Sequence, residues 1–174
     1  RDWYRRAEHR GEMEKAWRML QRYIREILGH DRIVIYGVDE ASGDCLRDEF
    51  DFWEDFRKLG GRVYTTGSIA NIPLVTGRIE TNIAAGRARK EFADKMHAAG
   101  GTMWTYANPQ TYQKDNPRVF RINYGMELYL ANYDGFCTYA HNENNGNPWT
   151  DTDGAEWAYV IQTADGVVDT VDGD

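Results

Sequence analysis

Three times in this chain a helical run ends at glycine and an apolar run starts within a few residues: at Gly29, at Gly60-Gly61 and at Gly100-Gly101. A glycine placed there supplies the left-handed residue that closes a helix. The runs that follow are short and rich in β-branched and aromatic residues, as strands are. Helices alternating with strands imply parallel strands joined by right-handed crossovers, so the fold class is α/β. Two architectures remain open, a doubly wound sheet and a (β/α) barrel. No Gly-x-Gly-x-x-Gly or Gly-x-x-x-x-Gly-Lys follows any of these strands, which removes the commonest reason to expect a nucleotide fold.

The spacing predicts a helix over residues 3–28, with Met13, Trp17, Leu20, Ile24 and Ile27 as its apolar stripe. A strand over 33–38 follows. Its core, Ile33-Val34-Ile35-Tyr36, is apolar on both faces, the pattern of a strand covered on both sides. Further helices are predicted over 47–59, 81–99 and 118–132. The last is rich in aromatics and Leu and is expected to be well buried. Strands are predicted over 62–66, 102–107 and 136–140, and a short one over 72–75 with Pro73 at its start or edge. After a polar, turn-rich stretch from 141 to 153, residues 157–162 and 167–171 suit a hairpin across Ala164-Asp165-Gly166.

A chain of 174 residues at 41% apolar suits one core. The net charge of −7 argues against a nucleic-acid or anionic-membrane partner, and no apolar run approaches the ~18 residues that span a bilayer. Cys45 and Cys137 are far apart, and His9, His30, His97 and His141 are scattered. Neither disulfide framework, metal site nor cofactor is suggested. Starting at Arg1, the chain looks like a piece of something longer, with the compartment unassigned.

The first strand stops at two adjacent carboxylates, Asp39 and Glu40. In α/β enzymes the sites gather at the carboxyl ends of the strands. Reading off those positions gives Asp39 and Glu40, then Thr65, Thr66 and Gly67, then Asn108, then His141, Asn142 and Glu143. Just upstream lie Tyr36, Tyr64, Trp104, Tyr106 and Tyr139, and Trp149 follows in the last loop. Carboxylates and amides that bond hydroxyls, beside rings that stack on pyranose faces, make a carbohydrate site. Trp104 and Tyr106 share one strand face and, as a pair, suit core filling better than a binding role, and a strand-end Asp that merely caps its turn is the plainer reading of Asp39.

Tyr36-Gly37-Val38-Asp39-Glu40-Ala41, followed by a helix and then Gly-Gly-x-Val-Tyr, resembles the Asp-Glu segment of glycoside hydrolase family 123 and its uncharacterised relatives. Arg121-Ile122-Asn123-Tyr124-Gly125 through Tyr133-Asp134-Gly135-Phe136, then Tyr139-Ala140-His141-Asn142, is similar to their final helix and strand. Pro148-Trp149 and Asp165-Gly166-Val167 fit their tail, and Tyr139 stands where relatives often carry Trp. The resemblance covers most of residues 30–170.

It implies the C-terminal portion of a (β/α)8 (TIM) barrel, about the fourth to eighth strands over residues 1–142, followed by a short β-rich tail over 143–174. The missing N-terminal part of the barrel, or another chain, is then an expected partner. Extracellular or periplasmic placement follows only from how often degradative glycosidases are exported.

The implied activity is hydrolysis of terminal 2-acetamido-2-deoxy-β-sugars, N-acetylgalactosaminides or N-acetylglucosaminides. Configuration is retained through the substrate's own acetamide, with Glu40 as acid and base and Asp39 orienting the acetamide. Tyr36, Trp104, Tyr106, Asn108, Tyr139, Asn142, Glu143 and Trp149 are the expected sugar contacts. Two alternatives stand beside this. One is a conventional two-carboxylate glycosidase using Glu40 and Glu143; the other is a non-catalytic carbohydrate-binding or scaffold fragment.

Overall fold

In a computed structural model of the chain, residues 7–107, 118, 121–137, 160–163 and 166–169 are described. Helix α1 (Ala7–Leu28) leads into strand β1 (Val34–Tyr36). Two short helices follow, α2 (Gly43–Arg47) and α3 (Phe50–Lys58), and then strand β2 (Arg62–Ser68). A 3-10 turn (Ile69–Asn71) and the one-turn helix α4 (Ile72–Val75) connect to β3 (Thr81–Ala85). Helix α5 (Lys90–Ala98) and β4 (Thr102–Ala107) come next. A π-helical stretch (Arg121–Met126) continues into a single α-turn (Glu127–Leu130) before β5 (Gly135–Phe136).

Strands β1 to β5 form one parallel sheet in sequence order, with Tyr36 opposite Tyr64, Thr66 opposite Ile83, and Ile83 opposite Trp104. Among the described residues the strand order of this sheet shows no reversal of the kind that makes the switch point of a doubly wound fold. Strands β6 (Val160–Thr163) and β7 (Gly166–Asp169) make a separate antiparallel pair, with Thr163 opposite Gly166, as the hairpin pattern predicts.

One core lies against one face of the parallel sheet. Val63, Ala84 and Met103 project from the strands to meet Trp17 of α1, Trp53 and Phe56 of α3, Ile72 and Val75 of α4, and Met96 of α5. Burying each large side chain contributes roughly 1.5–3 kcal/mol.

The glycine pairs that end α3 and α5 divide their work. Gly60 and Gly100 take φ of +81° and +78° to close the helices. Gly61 and Gly101 supply space: a Cβ on Gly61 would lie 2.0 Å from Phe56 Cε1, and one on Gly101 would lie 2.9 Å from Met96 Cε.

Several sequence expectations give way. Residues 81–85, expected to begin a helix, form β3, whose backbone pairs with β2 on one side and β4 on the other. Alanine's helix preference loses to the ladder on either side. Residues 72–75, expected as a strand, form a helical turn with Pro73 in its first turn, where the missing N–H costs nothing. The predicted helix over 47–59 is broken at Asp48-Glu49.

The helix expected over 118–132 is π-helical at Arg121–Met126 and poorly buried: Tyr129 is 81% exposed and Leu130 66%, while Tyr124, Leu128 and Ala131 face inward. Strand β1 is not covered on both sides. Ile33 and Ile35 pack on the core, whereas Val34 and Tyr36 on the other face are exposed and β1 lies at the sheet edge. No helix among the described residues is long and apolar enough to cross a membrane.

Candidate functional site

Strand β1 ends at Tyr36, and the chain turns over residues 37–40 at the carboxyl edge of the sheet. Adjacent residues of a strand point to opposite faces, so two neighbouring acids converge only if the backbone leaves the extended state. Glu40 does so, with φ of +48°. Left-handed backbone at a residue other than glycine is uncommon, and such strain gathers at functional sites. Gly37, just upstream, serves the packing of the turn. A Cβ there would lie 3.1 Å from Cζ2 of the fully buried Trp53, so glycine lets the turn settle closely onto that ring.

The turn is tied down along its length. Gly37 N–H donates to Tyr64 O at 2.8 Å, continuing the ladder beyond β1. Thr65 Oγ1 donates to Val38 O at 3.3 Å, and Glu40 N–H donates to Thr66 Oγ1 at 3.2 Å. Buried Asn71 donates from Nδ2 to Ala41 O at 2.8 Å. Gly67 leaves room for that amide, since a Cβ on it would lie 2.9 Å from Asn71 Nδ2.

The two carboxylates have separate partners. Asp39 Oδ1 accepts from Tyr36 OH and, at 2.7 Å, from Thr66 Oγ1. Those two bonds hold the Asp39 carboxyl below the usual carboxylate range. Tyr36 is pushed up to about 12, first by burial and then by its bond to Asp39. Glu40 Oε1 accepts from Tyr106 OH at 2.5 Å. Tyr106 is raised above the ordinary tyrosine range by burial, by that bond and by the charges of Glu40 and Asp39.

Four of the expected site residues therefore come together: Tyr36, Asp39, Glu40 and Tyr106. Trp104 lies on the same face of β4 as Tyr106, but its ring covers Gly135 of β5, where a Cβ would lie 3.0 Å from three of its atoms. Its observed partner is thus the sheet, as core filling predicts. Asn108, Tyr139, Asn142, Glu143 and Trp149 lie outside the described residues.

No family model matches this chain, and no curated protein sequence matches it.

Two participants were not singled out by sequence. Thr66 was one of several strand-end residues with nothing to distinguish it from Thr65. Asn71, in a stretch without clear periodicity, had no signal beyond its nearness to Gly67. Among the described residues no group of three or more His, Cys, Asp or Glu is arranged to hold a metal, and Cys45 and Cys137 are both free. Chemically, the edge offers one carboxylate held ionised by two hydroxyls, a second carboxylate in contact with a phenol, and a half-exposed tyrosine pair. Tyr36 and Tyr64 stack at 4.6 Å with an interplanar angle of 8°.

Proposed function

We propose that the chain carries the acid pair of a retaining glycoside hydrolase acting on terminal 2-acetamido-2-deoxy-β-sugars by a substrate-assisted mechanism. The observation that carries this reading is the left-handed turn at Glu40, which brings two sequence-adjacent carboxylates to one sheet edge with different hydroxyl partners. A single-sided helix layer and strands in sequence order support the finer fold reading, part of a (β/α)8 barrel. The bond between Tyr106 on β4 and Glu40 beyond β1 adds to it. Side chains of a flat sheet stand parallel, and these strands are three spacings apart, roughly 14 Å when flat. Convergence of the two residues favours a sheet concave on this face.

In this mechanism Glu40 gives its proton to the leaving glycosidic oxygen as the acetamide carbonyl oxygen attacks the anomeric carbon from the opposite face. Asp39 remains ionised, orients the acetamide N–H and balances the positive charge of the cyclic oxazolinium. Glu40 then takes a proton from the water that opens this ring, and configuration is retained. Tyr106 donates to Oε1, and on this reading the transferred proton is carried on Oε2.

The test is hydrolysis of aryl 2-acetamido-2-deoxy-β-glycosides by the chain and by Glu40→Gln and Asp39→Asn. Each variant is expected to lose about 10²–10⁴-fold in kcat. Full activity in both would sink the assignment. Equal turnover of 2-hydroxyl sugars would move it to a conventional two-carboxylate enzyme. Sugar binding that survives loss of both acids, without turnover, would move it to a binding module.

A further inference from the structure

Thr66 touches both acids, and no other described side chain does so. Its Oγ1 donates to Asp39 Oδ1 at 2.7 Å, accepts the Glu40 N–H at 3.2 Å and lies 2.5 Å from Tyr36 OH. The hydroxyl is thus bonded to the side chain of one acid and to the main chain of the other, at the residue whose backbone is left-handed.

Proton counting sharpens the picture. Tyr36 and Thr66 have one hydroxyl proton each, yet three oxygen–oxygen approaches link Tyr36, Thr66 and Asp39. With both protons directed at Asp39 Oδ1, none remains for the approach between the two hydroxyls. A further proton arriving on Oδ1 would have to turn a donor away, so the triad favours the carboxylate. Both bonds reach Oδ1, and among the described residues Oδ2 takes none.

Resting on the glycosidase reading above, we propose that Thr66 is the positioning residue of the acid pair. Through Oδ1 it fixes the plane of the Asp39 carboxylate so that Oδ2 meets the N–H of a 2-acetamido group. Through the Glu40 N–H it holds the turn that sets Glu40 beside Asp39. Thr66 itself touches no reacting atom; its hydroxyl acts through the acids.

Thr66→Val removes the hydroxyl and keeps the β-branched shape that suits β2. Thr66→Ser keeps the hydroxyl. Tyr36→Phe removes only the other donor to Oδ1 and leaves the Glu40 N–H bond intact. The readouts are the Asp39 side-chain carboxyl titration by carbon-13 NMR, the pH profile of kcat/KM on an aryl 2-acetamido glycoside, and affinity for a thiazoline mimic of the cyclic intermediate. The titratable groups facing Asp39 are Tyr36 on β1, Tyr64 stacked on it, neighbouring Glu40 and Tyr106 on β4. The site-specific carbon signal identifies Asp39 among them.

Thr66→Val is expected to move the Asp39 midpoint and the acid limb of the profile upward together. It should also lower kcat and thiazoline affinity about 10–10²-fold, the worth of one charge-assisted hydrogen bond. Thr66→Ser should stay near wild type on every readout. Tyr36→Phe should raise the midpoint while reducing kcat less than Thr66→Val, because the Glu40 turn keeps its bond. An Asp39 midpoint unmoved in Thr66→Val overturns the proposal, and so does a Thr66→Ser variant as impaired as the valine. Should the unmutated chain neither turn over the glycoside nor bind the thiazoline while Thr66→Val still shifts Asp39, the glycosidase reading fails. The hold of Thr66 on the carboxylate is then supported by the titration alone.

Discussion

One of the bonds that hold the loop carrying Asp39 and Glu40 comes from a buried amide. Asn71 is 8% exposed, and its Nδ2 donates to the carbonyl of Ala41, itself 6% exposed, at 2.8 Å. Replacing Asn71 with Ala leaves that carbonyl buried without its donor, a loss of about 1–3 kcal/mol. For a chain of this length, that is a fall in Tm of about 2–10 °C.

Asn71→Asp keeps the shape but turns the donor into a second acceptor against the carbonyl. At neutral pH it should therefore be less stable than the alanine variant, because a buried, unpaired charge is added. Burial raises the new carboxyl's folded pKa above its unfolded value, so the folded form binds the proton more tightly. The deficit is thus present above the folded pKa and shrinks as pH falls through it, when a protonated carboxyl donates again. Thermal melts by circular dichroism at pH 7 and pH 4.5 measure this, with amide exchange at residues 37–41 reporting on the turn. An alanine variant melting within a degree of wild type, or an aspartate variant no worse than it, would refute the reasoning.

Three further outcomes are expected. Gly61→Ala should destabilise by about 1–3 kcal/mol or more in urea melts, because its Cβ falls 2.0 Å from Phe56 Cε1. Gly60→Ala, whose Cβ meets only Gln21 Nε2 at 3.7 Å, should lose only the ~1–2 kcal/mol of its left-handed conformation, and the reverse ranking would contradict the packing argument. In an alkaline absorbance titration, the difference between wild type and Tyr36→Phe should rise near pH 12. The stability from this raised pKa is complete below about 10 and lost as pH climbs through the folded value; Asp39→Asn should lower the midpoint only in part, since burial is the larger cause. Trp17→Ala should remove about 3–5 kcal/mol, because the ring is 5% exposed, lies 4.1 Å from Phe56 and donates to Leu59 O. Ile27→Ala, at a position 58% exposed, should change stability by less than about 1 kcal/mol, and equal losses at the two positions would count against the one-sided core.

The rhythm of helix, glycine and strand was legible because each part acts locally. Gly29, Gly60 and Gly100 all take positive φ where the helical runs end. Strand β3 was not legible, since the helix preference of Ala84 and Ala85 is overruled by ladders on both sides. Coverage of β1 also escaped prediction. Apolar side chains on alternate faces say which faces favour burial, not whether a neighbour arrives to provide it, and Val34 remains 46% exposed. The acid pair was found from its place after a strand, but its convergence was not. That depends on the φ of Glu40, a residue with no intrinsic preference for a left-handed turn, fixed by Thr65, Thr66 and Asn71 from beyond the strand.

Threonine shows why the face that carries the acids needed a structure. Thr65 and Thr105 fall on the helix-covered side, where burial obliges their hydroxyls to find acceptors. They bond Val38 O at 3.3 Å and Ala84 O at 2.9 Å and so serve the fold. On the opposite side Thr81 and Thr102 satisfy each other at 2.9 Å, toward the amino end of the strands. Thr66 alternates with Thr65, so it shares the face of Tyr36 and Tyr64, and being last before Gly67 it lies level with the acids. The same hydroxyl moved by one residue would be a buried structural group. Register, rather than residue type, separates the threonine that holds Asp39 from the one that holds the backbone beneath it.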